Sequence, residues 1–276
     1  MIPEVRAAAA RLAAAGVASP RHDAEELAAH VLGLSRAKLV LLGRLPAAAA
    51  GRYAELVEQR AARVPLQHLT GVAGFRRLEL AVGPGVFVPR PETEVLAGWA
   101  AETAGPGALV VDLCTGSAAV ALAVADEAAG ARVHAVELDP YALAWAERNV
   151  RALGLPVTLH RGDVADPCLL ADLAGSVDVI TANPPYIPAG ATVEREVAEH
   201  DPPAALWGGP DGLDVVRAVE RAAARLLRPG GAVGVEHADV QGESVPAVFD
   251  RSDWTDVADR RDLAGRPRLT TARRTG

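Results

Sequence analysis

The sequence predicts an α/β protein: a doubly wound sheet of parallel strands, preceded by a small all-helical domain and joined to it by a β-hairpin. Three observations predict it. Apolar residues in the first seventy positions recur at helical spacing, residues 66–94 switch to alternating segments, and from Ala108 onward short apolar runs alternate with amphipathic ones. The domain boundaries read as 1–72 helical, 73–90 hairpin linker and 91–276 α/β domain.

In the first domain Leu12, Val17, Leu27, Val31 and Leu32 share helical spacing, and Ser19-Pro20 reads as an N-cap followed by a first-turn proline. LPAAAAGRYAELVEQRAARV (45–64) repeats the pattern, with Tyr53, Leu56 and Val57 on one stripe that reads as core. RLELAV and GVFVPR, arranged around Gly83-Pro84-Gly85, predict the hairpin. ALVVDL (108–113) is a buried strand followed by a helix from about Ser117. RVHAVEL (132–138) is a strand and PYALAWAERNVRALG (140–154) a helix opening on proline. VTLHRGD, VDVITANPPY and GAVGVEHAD supply further strands, with DVVRAVERAAARLL (214–227) a helix between the last two.

Composition narrows the function. The 276 residues are 50% hydrophobic but only 4% aromatic, so Ala, Val and Leu must fill the core. A net charge of −7 argues against affinity built on phosphate neutralisation. Cys114 and Cys168 form no CxxC pair, which leaves no zinc framework and no disulfide scaffold. The amino terminus is interrupted by Glu4, Arg6 and Arg11 and lacks the apolar core of a signal peptide, and no stretch approaches the roughly 20 apolar residues of a membrane span. A soluble cytoplasmic protein is expected. Lys38 is the one lysine, and arginine carries the positive charge.

The first α/β strand runs into Asp112-Leu113-Cys114-Thr115-Gly116-Ser117-Ala118, a small-residue turn that lets a ligand approach the backbone and aims helix N–H groups at it. The second strand ends at Glu137, where an acid can accept both hydroxyls of a ribose. Gly162-Asp163 follows the third strand, where an acid is within reach of an adenine amino group. No lysine lies in the turn, so it is not a phosphate-gripping loop, and an adenosyl ligand is favoured over a nucleoside triphosphate. The fourth strand ends in Ala182-Asn183-Pro184-Pro185-Tyr186. Two prolines stiffen the loop and remove two N–H groups. The Asn183 side-chain oxygen and the Pro184 carbonyl can together accept both hydrogens of an –NH2 group, and the Tyr186 ring can lie against a planar amide or aromatic amine. Cys114 reads as a small buried residue and not a nucleophile, because His134 and His160 lie on strand segments with no evident pairing.

NPPY with the upstream D-L-x-T-G-S turn resembles the class I S-adenosylmethionine-dependent methyltransferases that modify planar nitrogens. RVPLQHLTGVAGFRRLELAVGPGVFVPRPETEVL (63–96), EREVAEHDPPAALWGGPDGLDVVR (194–217), LLRPGG (226–231) and VEHADVQG (235–242) narrow the resemblance to the release-factor glutamine methyltransferases, the PrmC/HemK family. It spans nearly the whole chain. It implies a seven-stranded class I methyltransferase sheet behind the helical domain, S-adenosyl-L-methionine as cofactor and no metal. It also implies methyl transfer to the glutamine N5 in the Gly-Gly-Gln loop of peptide-chain release factors, with no direct nucleic-acid partner.

Carried over by position, Asp112, Cys114, Thr115, Gly116, Ser117, Ala118 and Glu137 would hold the cofactor, with Asp163 and Val164 near its adenine. Asn183 would touch cofactor and substrate. Asn183, Pro184, Pro185 and Tyr186 would hold the glutamine amide, with Asn183, Pro184 and Tyr186 as the catalytic set. Arg90, Pro91 and Thr93 would sit by the active-site entrance. The chain departs from the family's pattern where Cys114 and Ala118 replace glycines: Cys114 is a modest change, whereas Ala118 costs on the order of 1 kcal/mol if φ is positive there. It departs again where Val164 replaces an adenine-stacking aromatic.

Two other readings compete: a nucleic-acid amino methyltransferase of the adenine-N6 type using the same clamp, and a catalytically weak binding protein of the same fold. The lack of a basic-aromatic segment counts against the first. An NAD-dependent oxidoreductase lacks its G-x-G-x-x-G turn.

Overall fold

The structure, a computed structural model, describes residues 2–276. The chain divides into two compact units, the first comprising residues up to Val72 together with Val193–His200, the second Ala73–Thr192 and Asp201–Gly276.

The first unit is helical: α1 (Pro3–Ala14), α2 (Pro20–Leu32), α3 (Ala47–Ala61), the short α4 (Leu66–Thr70) and, far downstream, α8 (Arg195–His200). Pro20 opens α2 as expected, but the Ser19 hydroxyl makes no capping hydrogen bond. Leu12, Leu27, Tyr53, Leu56 and Val57 are buried in one core, which confirms the predicted stripe, and the Tyr53 hydroxyl donates to the Ala24 carbonyl at 3.0 Å. Buried Arg60 pairs with Asp23 and with Glu196 of α8, both at 2.7 Å, which ties the downstream segment to these helices.

The second unit begins within a two-stranded hairpin, β1 (Val72–Phe75) and β2 (Leu78–Ala81). Its turn is Arg76-Arg77, with Arg76 at φ 53°, and not Gly83-Pro84-Gly85 as the sequence suggested. Pro84 and Pro89 lack the N–H groups that a second pair of strands would need. GVFVPR instead runs as an irregular segment whose Val86 and Val88 are buried with Val82 against Ala142 and Trp145.

Then follow α5 (Glu94–Thr103), β3 (Leu109–Leu113), α6 (Ala119–Glu127), β4 (Arg132–Glu137), α7 (Pro140–Leu153), β5 (Val157–Arg161) and β6 (Val177–Ala182). After α8 come α9 (Asp214–Leu226), β7 (Leu227–Glu236), α10 (Ser244–Val248), β8 (Trp254–Arg261) and β9 (Pro267–Arg274). The seven strands of the main sheet lie in the order β5-β4-β3-β6-β7-β9-β8. The first five are parallel, but β9 runs antiparallel between β7 and β8, so the sheet is mixed and not wholly parallel.

Alternation along the strands builds two cores. Val110, Val133, Ala135 and Val179 pack with α5 and α6, whereas Leu109, Val111, Leu113, Ile180 and Val233 pack with α9 and α10. Among the described residues no helix is long and apolar enough to cross a membrane.

Candidate active site

The order of strands reverses direction between β3 and β6, which makes their carboxyl ends a topological switch point. Register then fixes what meets there. Leu113 is level with Val136 of β4 and with Ala182 of β6, and Val136 with His160 of β5. The turn after β3, Glu137, Asp163 and Asn183 therefore emerge side by side on one edge.

The turn is built around Asp112, which is 2% exposed. Its carboxylate accepts the Thr115 hydroxyl at 2.5 Å, the Thr181 hydroxyl at 2.7 Å and the Ala121 N–H in the first turn of α6. Burial nonetheless pushes its pKa up to about 6, against the pull of those three donors. Cys114, Gly116 and Ala118 all lie in the left-handed region, at φ 58°, 58° and 65°. Ala118 caps α6, so the helix begins at Ala119, two residues later than predicted. Ser117 is buried, and its carbonyl accepts from Asn149 of α7 at 3.0 Å. The same Asn149 side chain pairs with both backbone groups of Ala81 on β2, at 2.7 and 3.0 Å.

Glu137 closes the turn from the other side. One carboxylate oxygen accepts the Gly116 N–H at 2.7 Å and the other the Asp139 N–H at 2.9 Å. Burial raises its pKa while these N–H groups oppose the shift. Half-buried Cys114 is driven to stay a neutral thiol, first by desolvation and then by the charges of Glu137, Asp112 and Asp163. Asp163 itself is exposed and accepts the Ala165 N–H at 2.8 Å, and half-buried Val164 packs on the core beneath.

Asn183 follows β6 directly and is half-buried. Its Nδ2 donates to the Thr93 hydroxyl at 3.3 Å, and Thr93, buried in the single turn Pro91–Thr93, in turn bonds Glu236 at the end of β7. Among the described residues no donor reaches the Asn183 Oδ1 or the Pro184 carbonyl oxygen. Two carbonyls further along the loop are taken: Tyr186 O accepts from Gln241 Nε2 at 3.1 Å and Ile187 O from the Gly208 N–H at 2.9 Å. Residues 207–212 thus wrap the back of the loop, and Pro185 and Tyr186 are half-buried on it. Arg90 pairs with buried Asp201 at 2.8 Å and lies over the Phe87 ring.

The structure brings together the turn residues, Glu137, Asn183 and Thr93; Arg90 belongs to a neighbouring ion pair. Sequence reading passed over Asn149, Gln241, Asp201 and Glu236, which act through contacts far along the chain and carry no local signal. It also took His134 and His160 as unpaired. Their rings stack at 5.1 Å, with Nδ1 and Nε2 2.9 Å apart, because the β4–β5 register sets His134 level with Thr158 and places His160 two residues on along the same face.

The donor set suits S-adenosylmethionine. Carboxylates converge on the turn, as the field at Cys114 records, and no basic side chain lies in it; such a site favours a cationic sulfonium and hydroxyl donors over phosphates.

Comparison with known proteins agrees. The PrmC N-terminal domain model matches residues 5–71 and the methyltransferase small domain model residues 91–200. The release factor glutamine methyltransferase of Streptomyces coelicolor is 52% identical across 99% of this chain and 98% of its own length. The chain belongs to the release factor glutamine methyltransferase family. Within reach of that family, the 4-amino-L-phenylalanine/4-methylamino-L-phenylalanine methyltransferase of Streptomyces pristinaespiralis is 40% identical over 88% of this chain and 84% of its own. A 16S rRNA methyltransferase from T. thermophilus, solved in complex with AdoMet and guanosine, shares the fold at a TM-score of 0.52 and 22% identity, covering 74% of this chain and 49% of that one. The two share the class I methyltransferase fold.

Proposed function

We propose that this protein transfers a methyl group from S-adenosylmethionine to the glutamine N5 in the Gly-Gly-Gln loop of peptide-chain release factors, using the Asn183–Tyr186 loop as a carboxamide clamp. The observation that carries the clamp is a pair of open acceptors, Asn183 Oδ1 and Pro184 O, on a loop held from behind through the Tyr186 and Ile187 carbonyls. A primary amide presents two N–H donors, and two fixed acceptors set its nitrogen in one orientation.

Residues 112–118 and Glu137 would hold the cofactor, with Asp163 and Val164 beside its adenine. The cofactor, when bound, supplies a methyl group on a sulfonium centre. The chain's own contribution is alignment and electrostatics. Glu137 braces the turn through Gly116 while keeping further lone pairs for hydroxyl donors. Pro185 and Tyr186 offer the planar amide a face. The Tyr186 hydroxyl, its pKa pushed up to about 12 by burial, stays protonated near neutral pH and is no base. The amide nitrogen becomes more acidic as it gains the methyl and can release its proton to water.

Mass spectrometry of the Gly-Gly-Gln glutamine after incubation with cofactor tests the activity, with RNA, DNA and 4-amino-L-phenylalanine as competing substrates, because the relative named for that arylamine offers a second planar nitrogen. A 14 Da gain on the release factor glutamine is expected, and methylation of a competitor alone would overturn the reading. Asn183→Ala should lower turnover by about 100-fold or more, with cofactor affinity changing only a few-fold.

A further inference from the structure

We propose that Glu236 is a positioning residue that fixes which end of the Asn183 carboxamide faces the substrate, acting through the hydroxyl of Thr93. The inference rests on the reading of Asn183 as half of the clamp. The two ends of a carboxamide have nearly the same shape and opposite hydrogen-bonding sense, so an amide that turns over presents donors where the substrate needs an acceptor. The Thr93 hydroxyl has one proton. Given to Glu236, it leaves the oxygen as a pure acceptor, and only Asn183 Nδ2 can satisfy it. Oδ1 is then left facing away from Thr93.

The ladder between β6 and β7 pairs Ala182 with Val235, so Asn183 and Glu236 follow side by side. Glu236 is 2% exposed, and its Oε2 has no partner among the described residues. A buried carboxylate with one unmet oxygen is costly unless it has a task.

Burial raises the Glu236 pKa to about 7, against Thr93 and Arg268 of β9, which favour the anion, while Glu92 beside Thr93 opposes it; Tyr186 of the clamp loop also faces it. Once protonated, Glu236 can donate to Thr93, which frees the Thr93 proton to point at Asn183 and removes the preference for one amide orientation. Turnover should therefore fall toward acid pH.

The test is steady-state methylation of a purified release factor from mildly acid to mildly alkaline pH by the wild type, Glu236→Gln, Thr93→Val, Thr93→Ser and Asn183→Ala, with S-adenosylmethionine affinity measured by calorimetry. Glu236→Gln should lose about 10-fold or more in kcat, keep its cofactor affinity and lack the wild type's fall toward acid pH. Thr93→Val should lose as much, and Thr93→Ser should recover most of it. Wild-type turnover in Glu236→Gln, or an unchanged acid fall, would overturn the role of Glu236 even where Asn183→Ala is inactive. An active Asn183→Ala would instead bring down the clamp itself and this inference with it.

Discussion

Asp112 and Thr181 are Cα partners in the β3–β6 ladder, and the Thr181 hydroxyl donates to the Asp112 carboxylate at 2.7 Å. The contact joins the strand that launches the cofactor turn to the strand that launches the clamp. Thr115 and the Ala121 N–H fill the rest of the carboxylate, so one buried acid holds both halves of the site at a fixed spacing. An acid in that place has a measurable signature.

Burial moves the Asp112 pKa from 3.8 in the unfolded chain to about 6 in the folded one. Between those values the folded state holds a proton that the unfolded state has released, so the stability this group contributes is complete below pH 3.8 and lost as pH rises to about 6. The loss is about 3 kcal/mol, from ~1.4 kcal/mol per unit of pKa. Asp112→Asn has no such proton. The melting temperature of the variant should therefore gain on that of the wild type across this interval and run parallel to it at higher pH. A constant difference at all pH values would show that Asp112 titrates normally.

Why some of this was legible and some not follows from the range of the forces involved. β3, β4 and β6 are largely buried runs rich in Val, Leu, Ile and Ala, and their carboxyl ends mark the site whatever packs around them. β8, at the sheet edge, and β9, between β7 and β8, carry Asp256, Asp259, Arg260, Arg261, Arg268 and Arg273, a charged pattern that is weak as a strand signal. The hairpin was expected around Gly83-Pro84-Gly85 because glycine and proline mark turns, whereas β1 and β2 turn at two arginines. Asn149 sits in α7 among other polar residues, and only the folded chain reveals that it bridges Ala81 and Ser117.

The left-handed backbone at Ala118 makes that position selective for small residues. Its φ is 65° and its side chain is fully buried. Ala118→Gly relieves about 1 kcal/mol of Cβ strain but loses a buried methyl worth roughly 0.8 kcal/mol and adds chain entropy to the unfolded state, so its stability should stay within about 1 kcal/mol of the wild type. Ala118→Val puts a branched side chain in the same backbone and should cost about 2–3 kcal/mol. Urea midpoints at unchanged slope measure both. A neutral valine variant would mean the turn is not held in this conformation.

Gly212 tests whether the loop wrapped behind the clamp sets its geometry. At φ 77° the position already disfavours any side chain, and a Cβ there would lie 2.3 Å from the Tyr186 carbonyl oxygen and 3.0 Å from Gln241 Nε2. Neither neighbour can give way cheaply: the first is backbone, and the second is the donor that holds that backbone in place. Gly212→Ala should push Tyr186 O off Gln241 and displace the loop that carries Pro184 O. A displacement of about 1 Å at a reacting centre costs on the order of 100-fold in rate. The cofactor turn lies on other strands and is braced by Glu137 and Asn149, so S-adenosylmethionine affinity should change far less than kcat. Calorimetry beside a turnover assay separates the two, and equal losses in both would mean that the loop behind the clamp supports the whole sheet edge and not the clamp alone.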